Sequence, residues 1–176
     1  MPRLFTGIDI PRDVATDLAA LRGGLPGARW IEPEDYHLTL RFIGDVGLVM
    51  ANDILVGLES IRGRKTRITV DRLAAFGADK PRALFAKVVT TSGLIELQAD
   101  HERLMRRLGA KADTRKFTPH VTLARLRGAT PETVASYISA RSMPDVLVFD
   151  ATEFVLYSAR DSTGGGPYGS EAVYPL

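Results

Sequence analysis

Two short segments, YHLTLRFIGD (residues 36–45) and PHVTLARLRG (residues 119–128), repeat the order His, apolar residue, Thr, Leu. Both read as strands, and a strand turns successive side chains to opposite faces. In HLTLRF, alternation puts Leu38, Leu40 and Phe42 on one face and His37, Thr39 and Arg41 on the other. In HVTLAR it puts Val121 and Leu123 on one face and His120 and Thr122 on the other. A chain written this way has to cover two apolar strand faces while leaving two His/Thr faces for something polar.

The segments around this pair repeat a similar order. RLFTGIDI near the start reads as a strand rich in apolar residues. Pro11 stands where a first helical turn tolerates proline, Val14, Leu18 and Leu21 share a helical face, and Gly23-Gly24 ends that helix. ARWI is a short strand. From Val46 to Ile61 the spacing of Leu48, Ala51, Leu55 and Leu58 predicts a helix. RITVDRLAAF and ALFAKVV are strands joined by the turn-like GADKPR. Ser92 is the expected cap of a helix whose stripe is Leu94, Leu97, His101, Leu104 and Leu108. After HVTLARL, Thr130-Pro131 opens a helix with Val134 and Ile138 on one face. DVLVFDATEFVLYSA supplies one or two closing strands, and VYPL a short last one. Hairpins mixed with helices in two similar passes predict an α+β fold with mainly antiparallel sheets, and suggest a diverged internal duplication.

Composition narrows the chemistry. The 176 residues suit one domain or two small lobes. There are no cysteines, which removes disulfides, thiolate nucleophiles and cysteine-held zinc, and only three histidines. With 23 basic and 21 acidic residues the net charge is only +2, so the chain is no histone-like polycation. Most of the cations are arginines, whose planar fork suits phosphate. No apolar run approaches the roughly 18 residues that span a bilayer, and the N-terminal stretch shows no secretory signal, so the expected compartment is the cytoplasm.

Two histidines suit the in-line displacement of a phosphodiester. A neutral imidazole takes a proton from the attacking group while an imidazolium protonates the leaving oxygen, and a side-chain pKa of about 6.5 lets both forms exist near neutrality. Threonine hydroxyls can donate to the non-bridging oxygens, and arginine can offset the phosphoryl charge. Such a site needs no metal or cofactor. One His-x-Thr in a strand is ordinarily structural, since threonine favours strands. Two copies on similar strands, among three histidines in all, point to catalysis or anion binding. His101 belongs to the helical stripe and is expected to be packed, with no role in chemistry.

RWIEPEDYHLTLRFIGDV and RKFTPHVTLARL resemble the two motif blocks of the 2H phosphoesterase superfamily, specifically its RNA 2′,3′-cyclic phosphodiesterase branch, formerly called 2′-5′ RNA ligases. RLFTGIDIP and the C-terminal FVLYSARDSTGGGPYGSEAVYPL resemble its flanks. The resemblance implies a single bilobal domain over residues 1–176: two sheets with helices outside, in pseudo-twofold arrangement, each lobe supplying one His-x-Thr-x motif to a central cleft. It implies hydrolysis of RNA 2′,3′-cyclic phosphate ends to 2′-phosphates. In that scheme His37 is the proton donor, His120 the proton acceptor, and Thr39 and Thr122 hold the phosphate. Arg125 matches a basic position that the family associates with phosphate. Alternation puts Arg125 on the face of Val121 and Leu123, so a strand end or bulge between Leu123 and Arg125 is needed to turn it inward. Arg41 fits alternation better and is the second arginine candidate.

RNA ends or cyclic nucleotides are the expected partners, with no membrane, no protein partner and a monomeric form. Trp30, Phe117, Tyr157 and Tyr168 are candidate platforms for a base, and STGGGPYG a candidate flap over the cleft. Two other activities fit the same residues: a 2′-5′ RNA ligase, in which a ribose hydroxyl replaces water as the attacking group, and an RNA- or nucleotide-binding module without turnover.

Overall fold

A computed structural model describes residues 1–141, 143, 145–159 and 165–176. Among these residues, nine strands and four α-helices follow one another as β1 (Arg3–Asp9), α1 (Arg12–Ala19), β2 (Ala28–Trp30), β3 (His37–Asp45), α2 (Leu48–Leu58), β4 (Thr66–Phe76), β5 (Ala83–Val88), α3 (Ser92–Arg107), β6 (His120–Leu126), α4 (Pro131–Ala140), β7 (Leu147–Ala151), β8 (Glu153–Ser158) and β9 (Gly169–Pro175). A short 3-10 turn at Pro33–Asp35 leads into β3. No helix among the described residues is long and apolar enough to cross a membrane.

The strands pair in the order β7-β4-β5-β6-β3-β1-β8-β9, with β2 attached to β6. Every pairing is antiparallel. Where two sheets are expected there is one, yet its halves meet through a single pair of residues, Leu38 on β3 opposite Val121 on β6. Outward from that bridge run β3, β1, β8 and β9 on one side and β6, β5, β4 and β7 on the other. The connections cross over: α1 leaves β1 and packs on β7, and α3 leaves β5 and packs on β3, so each of these helices lies against the half opposite to the strand it follows. Helix α4 packs on β4, and α2 on α3.

One contiguous core fills the space between the helices and one face of the sheet, and includes Leu38, Leu40, Val121, Leu123, Leu84 and Met105. Thr130 accepts from the Thr133 N–H and Pro131 opens the first turn of α4, as expected. The cap of α3 is Thr91, one residue before the predicted Ser92, accepting from the Leu94 N–H. Helix α2 buries Ile54 and Leu58, whereas Leu48 is 81% and Leu55 37% exposed, contrary to the predicted stripe. LVMANDILVGL is apolar around most of its circumference, so periodicity could not choose the buried face.

His101 is fully buried. Its Nδ1–H donates to the Leu97 carbonyl at 2.8 Å and its ring meets Phe154 edge-on at 4.6 Å. The packed role expected of it is the one it has.

Candidate active site

The two motif strands have the same burial sequence over six residues: half-buried, buried, half-buried, buried, buried, exposed, starting at His37 on β3 and at His120 on β6. Strict alternation would not place two buried residues in succession. The cause is a β-bulge at the same offset in each strand. Against β1, Thr39 pairs with Gly7 and Arg41 with Thr6, leaving Leu40 as the extra residue. Against β5, Thr122 pairs with Phe85 and Ala124 with Leu84, leaving Leu123. A bulge of one residue reverses which face every later side chain meets.

That reversal decides both arginines. Arg125 turns to the face of His120 and Thr122 and is exposed there; its positive charge helps to depress the pKa of both His37 and His120. Arg41 goes the other way, and the alternation argument that put it beside His37 is corrected. It is 3% exposed on the helix side, where its guanidinium donates to Glu102, to the Phe42 carbonyl and to the Lys111 carbonyl. Glu102 also accepts from Arg106 at 2.7 Å, and burial of its carboxylate is outweighed by these partners, so its pKa is lowered. Arg41 ties α3 to β3. Arg41→Met is therefore expected to cost about 3 kcal/mol of stability, because it leaves a largely buried carboxylate short of a partner, while KM for a phosphodiester stays at the wild-type value. Urea unfolding alongside steady-state kinetics checks this; a raised KM at unchanged stability would return Arg41 to the cleft.

Leu38 and Val121 face the core across the bridge. Their neighbours in the two strands, His37, Thr39, His120 and Thr122, accordingly share the opposite face, clustered around the seam between the halves. Each imidazole is fixed in the same manner. The Nδ1–H of His37 donates to the Asp35 carbonyl at 2.9 Å, and that of His120 to the Thr118 carbonyl at 2.6 Å. In each case the acceptor lies two residues upstream. Spending Nδ1–H on the backbone sets the tautomer and leaves Nε2 as the free proton-transfer atom of the neutral ring.

Aromatic rings pack against both imidazoles. His37 lies 4.8 Å from Phe5, 5.6 Å from Tyr157 and 5.1 Å, edge-on, from Tyr168. His120 lies 4.8 Å from Phe76 and 5.1 Å from Phe85, themselves stacked at 4.2 Å. Phe5, Val155 and Tyr157 form a small apolar cluster on this face, apart from the main core. Sequence pattern marks only Tyr157 and Tyr168 among these rings, as candidate base platforms; Phe5, Phe76 and Phe85 carry no local signal of this role. Alternation does put Phe5, Gly7 and Asp9 on one face of RLFTGID, but only strand pairing shows that this face carries His37.

Burial among these rings is the main reason the His37 pKa is lowered, to about 4; the neighbouring His120 and Arg125 charges add to it and the bond to Asp35 opposes it. The His120 pKa is lowered as well, again chiefly by burial. Both shifts favour the neutral ring.

The candidate base platforms divide. Tyr157 and Tyr168 flank His37. Trp30 pairs with Ala124 and therefore shares its helix-side face, and Phe117 packs against the main core. Part of the expected flap, residues 162–164, lies outside the described residues. Beyond it the chain passes hard against the turn before β3. The Tyr168 N–H donates to Asp35 Oδ1 at 3.0 Å, and Gly166 has a φ of +94° with no room for a side chain, since a Cβ there would fall 2.1 Å from Asp35 Oδ2. Asp35 thus holds Tyr168 with its carboxylate and His37 with its carbonyl.

The sequence pattern of the family described as LigT like Phosphoesterase matches residues 8–85 and 88–168, which include both motifs. Among curated relatives, an RNA 2′,3′-cyclic phosphodiesterase of Aeropyrum pernix is 39% identical over 108 residues, 60% of this chain and 61% of the relative. Another of that name, from Geobacillus stearothermophilus, is 32% identical over 158 residues, 86% of this chain and 49% of the relative. The matches thus span about half to three fifths of the length of these relatives. Among solved structures, E. coli LigT complexed with 3′-AMP superposes with a TM-score of 0.80 at 25% identity, covering 100% of this chain and 99% of that one. TT0787 of Thermus thermophilus, at 23% identity, shares the fold with a TM-score of 0.81, covering 99% of this chain and 97% of the other.

Proposed function

The chain belongs to the LigT-like phosphoesterase family, and from that premise we propose that residues 1–176 act as one bilobal unit hydrolysing RNA 2′,3′-cyclic phosphate ends to 2′-phosphates. The observation that carries this reading is the equivalence of the two histidines. Both stand at the same place in a bulged strand, both give Nδ1–H to a carbonyl two residues upstream, and they flank the one bridge between the halves. A site with one histidine for chemistry and one for packing has no need of this symmetry. The relatives' names point to the same reaction.

In the reaction, His120 takes a proton from water at Nε2 as the water oxygen attacks phosphorus. The P–O3′ bond breaks, and His37 delivers a proton to O3′, leaving a free 3′-hydroxyl and a 2′-phosphate. Thr39 and Thr122 donate to the non-bridging oxygens, and Arg125 offsets the charge that grows on them. The donor needs a protonated ring, which burial opposes most strongly at His37. A bound phosphate monoanion supplies the missing negative charge beside the ring and raises its pKa toward neutrality. Chemistry is thereby tied to occupancy of the site. The same reading takes the working protein to be a cytoplasmic monomer that uses no metal or cofactor.

The test is a short RNA ending in a 2′,3′-cyclic phosphate, incubated with the protein in excess EDTA. Conversion to a 2′-phosphate is expected. A 3′-phosphate product would overturn the assignment of O3′ as the leaving group. Joining to a 5′-hydroxyl RNA through a 2′-5′ linkage would identify a ligase, and binding without any conversion would identify a binding module.

A further inference from the structure

The register of the sheet carries a second feature on the cleft face, unconnected with the motifs. In an antiparallel sheet, residues directly opposite one another project to the same side. His120 on β6 is opposite Lys87 on β5, and Lys87 is opposite Arg72 on β4. These three side chains therefore form one row across the sheet, leading away from the seam. With strands about 4.8 Å apart, Lys87 and Arg72 stand about 5 and 10 Å from His120 along that row. A bulge at Asp71, between the paired residues Val70 and Arg72, is what turns Arg72 to this side. Arg72 is 63% exposed, and its nearest acid, the Oδ1 of Asp71, is 3.9 Å from Nε, too far for a hydrogen bond.

The corresponding row in the other half has the opposite sign. His37 is opposite Asp9 on β1. Asp9 accepts from the Tyr157 hydroxyl at 3.3 Å, and the Glu153 carboxylate is close enough to help raise its pKa, though burial is the larger cause. The pseudo-twofold sheet thus offers His120–Lys87–Arg72 on one side of the seam and His37–Asp9, with Glu153 nearby, on the other. A polyanion whose end lies at the seam is attracted along the first row and repelled along the second.

We infer that Lys87 and Arg72 form a phosphate track that carries the body of a single-stranded RNA away from the catalytic seam over β5 and β4, making the protein selective for oligonucleotides over cyclic mononucleotides. This rests on the phosphodiesterase reading above and adds to it the size class of substrate and the direction in which the strand leaves. Cations placed on phosphates position a strand without reading its sequence, so the selectivity is for length and not for bases.

The experiment compares wild type with the double variant Lys87→Gln, Arg72→Gln on two substrates, cytidine 2′,3′-cyclic monophosphate and a short single-stranded RNA with a 2′,3′-cyclic phosphate end, across a salt series. Binding of the same RNA carrying a 2′-phosphate end is measured in parallel by fluorescence anisotropy. A second double variant, Arg103→Gln with Arg107→Gln on the exposed face of α3, removes equal charge away from the cleft. If the track exists, the preference for RNA over the mononucleotide collapses in the first variant only. The slope of log binding constant against log salt then becomes shallower by about 1.4, the change expected when two phosphate contacts on a single strand are lost. Equal losses on both substrates, or an equal change of slope in the α3 variant, overturn the track. Should wild type turn over neither substrate, the phosphodiesterase reading fails, and the anisotropy slopes alone decide the track.

Discussion

His37→Ala and His120→Ala are each expected to lower kcat on a 2′,3′-cyclic phosphate end by about a hundred- to ten-thousandfold, the usual contribution of one proton transfer. The double variant should be only slightly worse than either single one. A donor and an acceptor that serve one displacement act as a unit, and losing the first already forfeits most of what the second can offer. Thr39, Thr122 and Arg125 remain in all three variants, so binding of a 2′-phosphate product should persist. The roles separate with a phosphodiester bearing a nitrophenolate leaving group, which departs without protonation. The variant lacking the donor should recover most of its activity on that substrate, and the variant lacking the acceptor should not. Recovery in His37→Ala agrees with the donor role proposed for His37. Recovery in His120→Ala reverses the assignment, and full activity of either variant on RNA rules out the paired mechanism.

The second large effect is on stability in acid. The His101 pKa is lowered from 6.5 to about 4, first by burial, with its bond to the Leu97 carbonyl and the Asp100 charge only partly opposing. Between these two pH values the unfolded chain binds a proton that the folded one refuses. Folding stability is therefore complete above about pH 6.5, falls as pH drops, and levels off below about 4. At 1.36 kcal/mol per pKa unit the loss is about 3 kcal/mol. His37 adds a decrement in the same window, and a phosphate in the cleft should reduce that part by raising its pKa. The ion pairs act lower: the Arg115 guanidinium holds the Asp113 carboxyl down at about 2, so this pair weakens only below about pH 4. His101→Leu isolates the effect. Its Nε2 is buried and has no hydrogen-bond partner among the described residues, so an apolar side chain of similar size should cost no more than about 1 kcal/mol at pH 7. Urea midpoints measured between pH 7 and 4 should decline less steeply in this variant, and an unchanged slope would show that His101 titrates normally.

Local pattern was enough for much of the chain. Apolar spacing and cap chemistry marked the helices other than α2 closely, because Pro11, Thr130 and the Leu94–Leu108 stripe report interactions made within a few residues of themselves. The same holds for His101, whose position on that stripe already predicts burial. The doubled His-x-Thr strands were legible too, and with them the four polar side chains around the bridge, since alternation holds as far as Thr39 and Thr122. The buried face of α2 was not legible, because its composition is nearly uniform around the helix.

What the sequence by itself determined, then, is the set of strands and helices and the identity of the two histidines as equivalent groups. The tertiary structure alone decided where alternation stops. A bulge exists only in relation to the strand opposite, and the bulges at Leu40, Leu123 and Asp71 are created by pairings between residues far apart in the chain. They send Arg41 into the core and turn Arg125 and Arg72 toward the cleft. The opposite charges of the two rows beside the histidines have the same origin. Asp9, Lys87 and Arg72 have no local feature to distinguish them, and each acquires its meaning from the residue that strand register sets across from it.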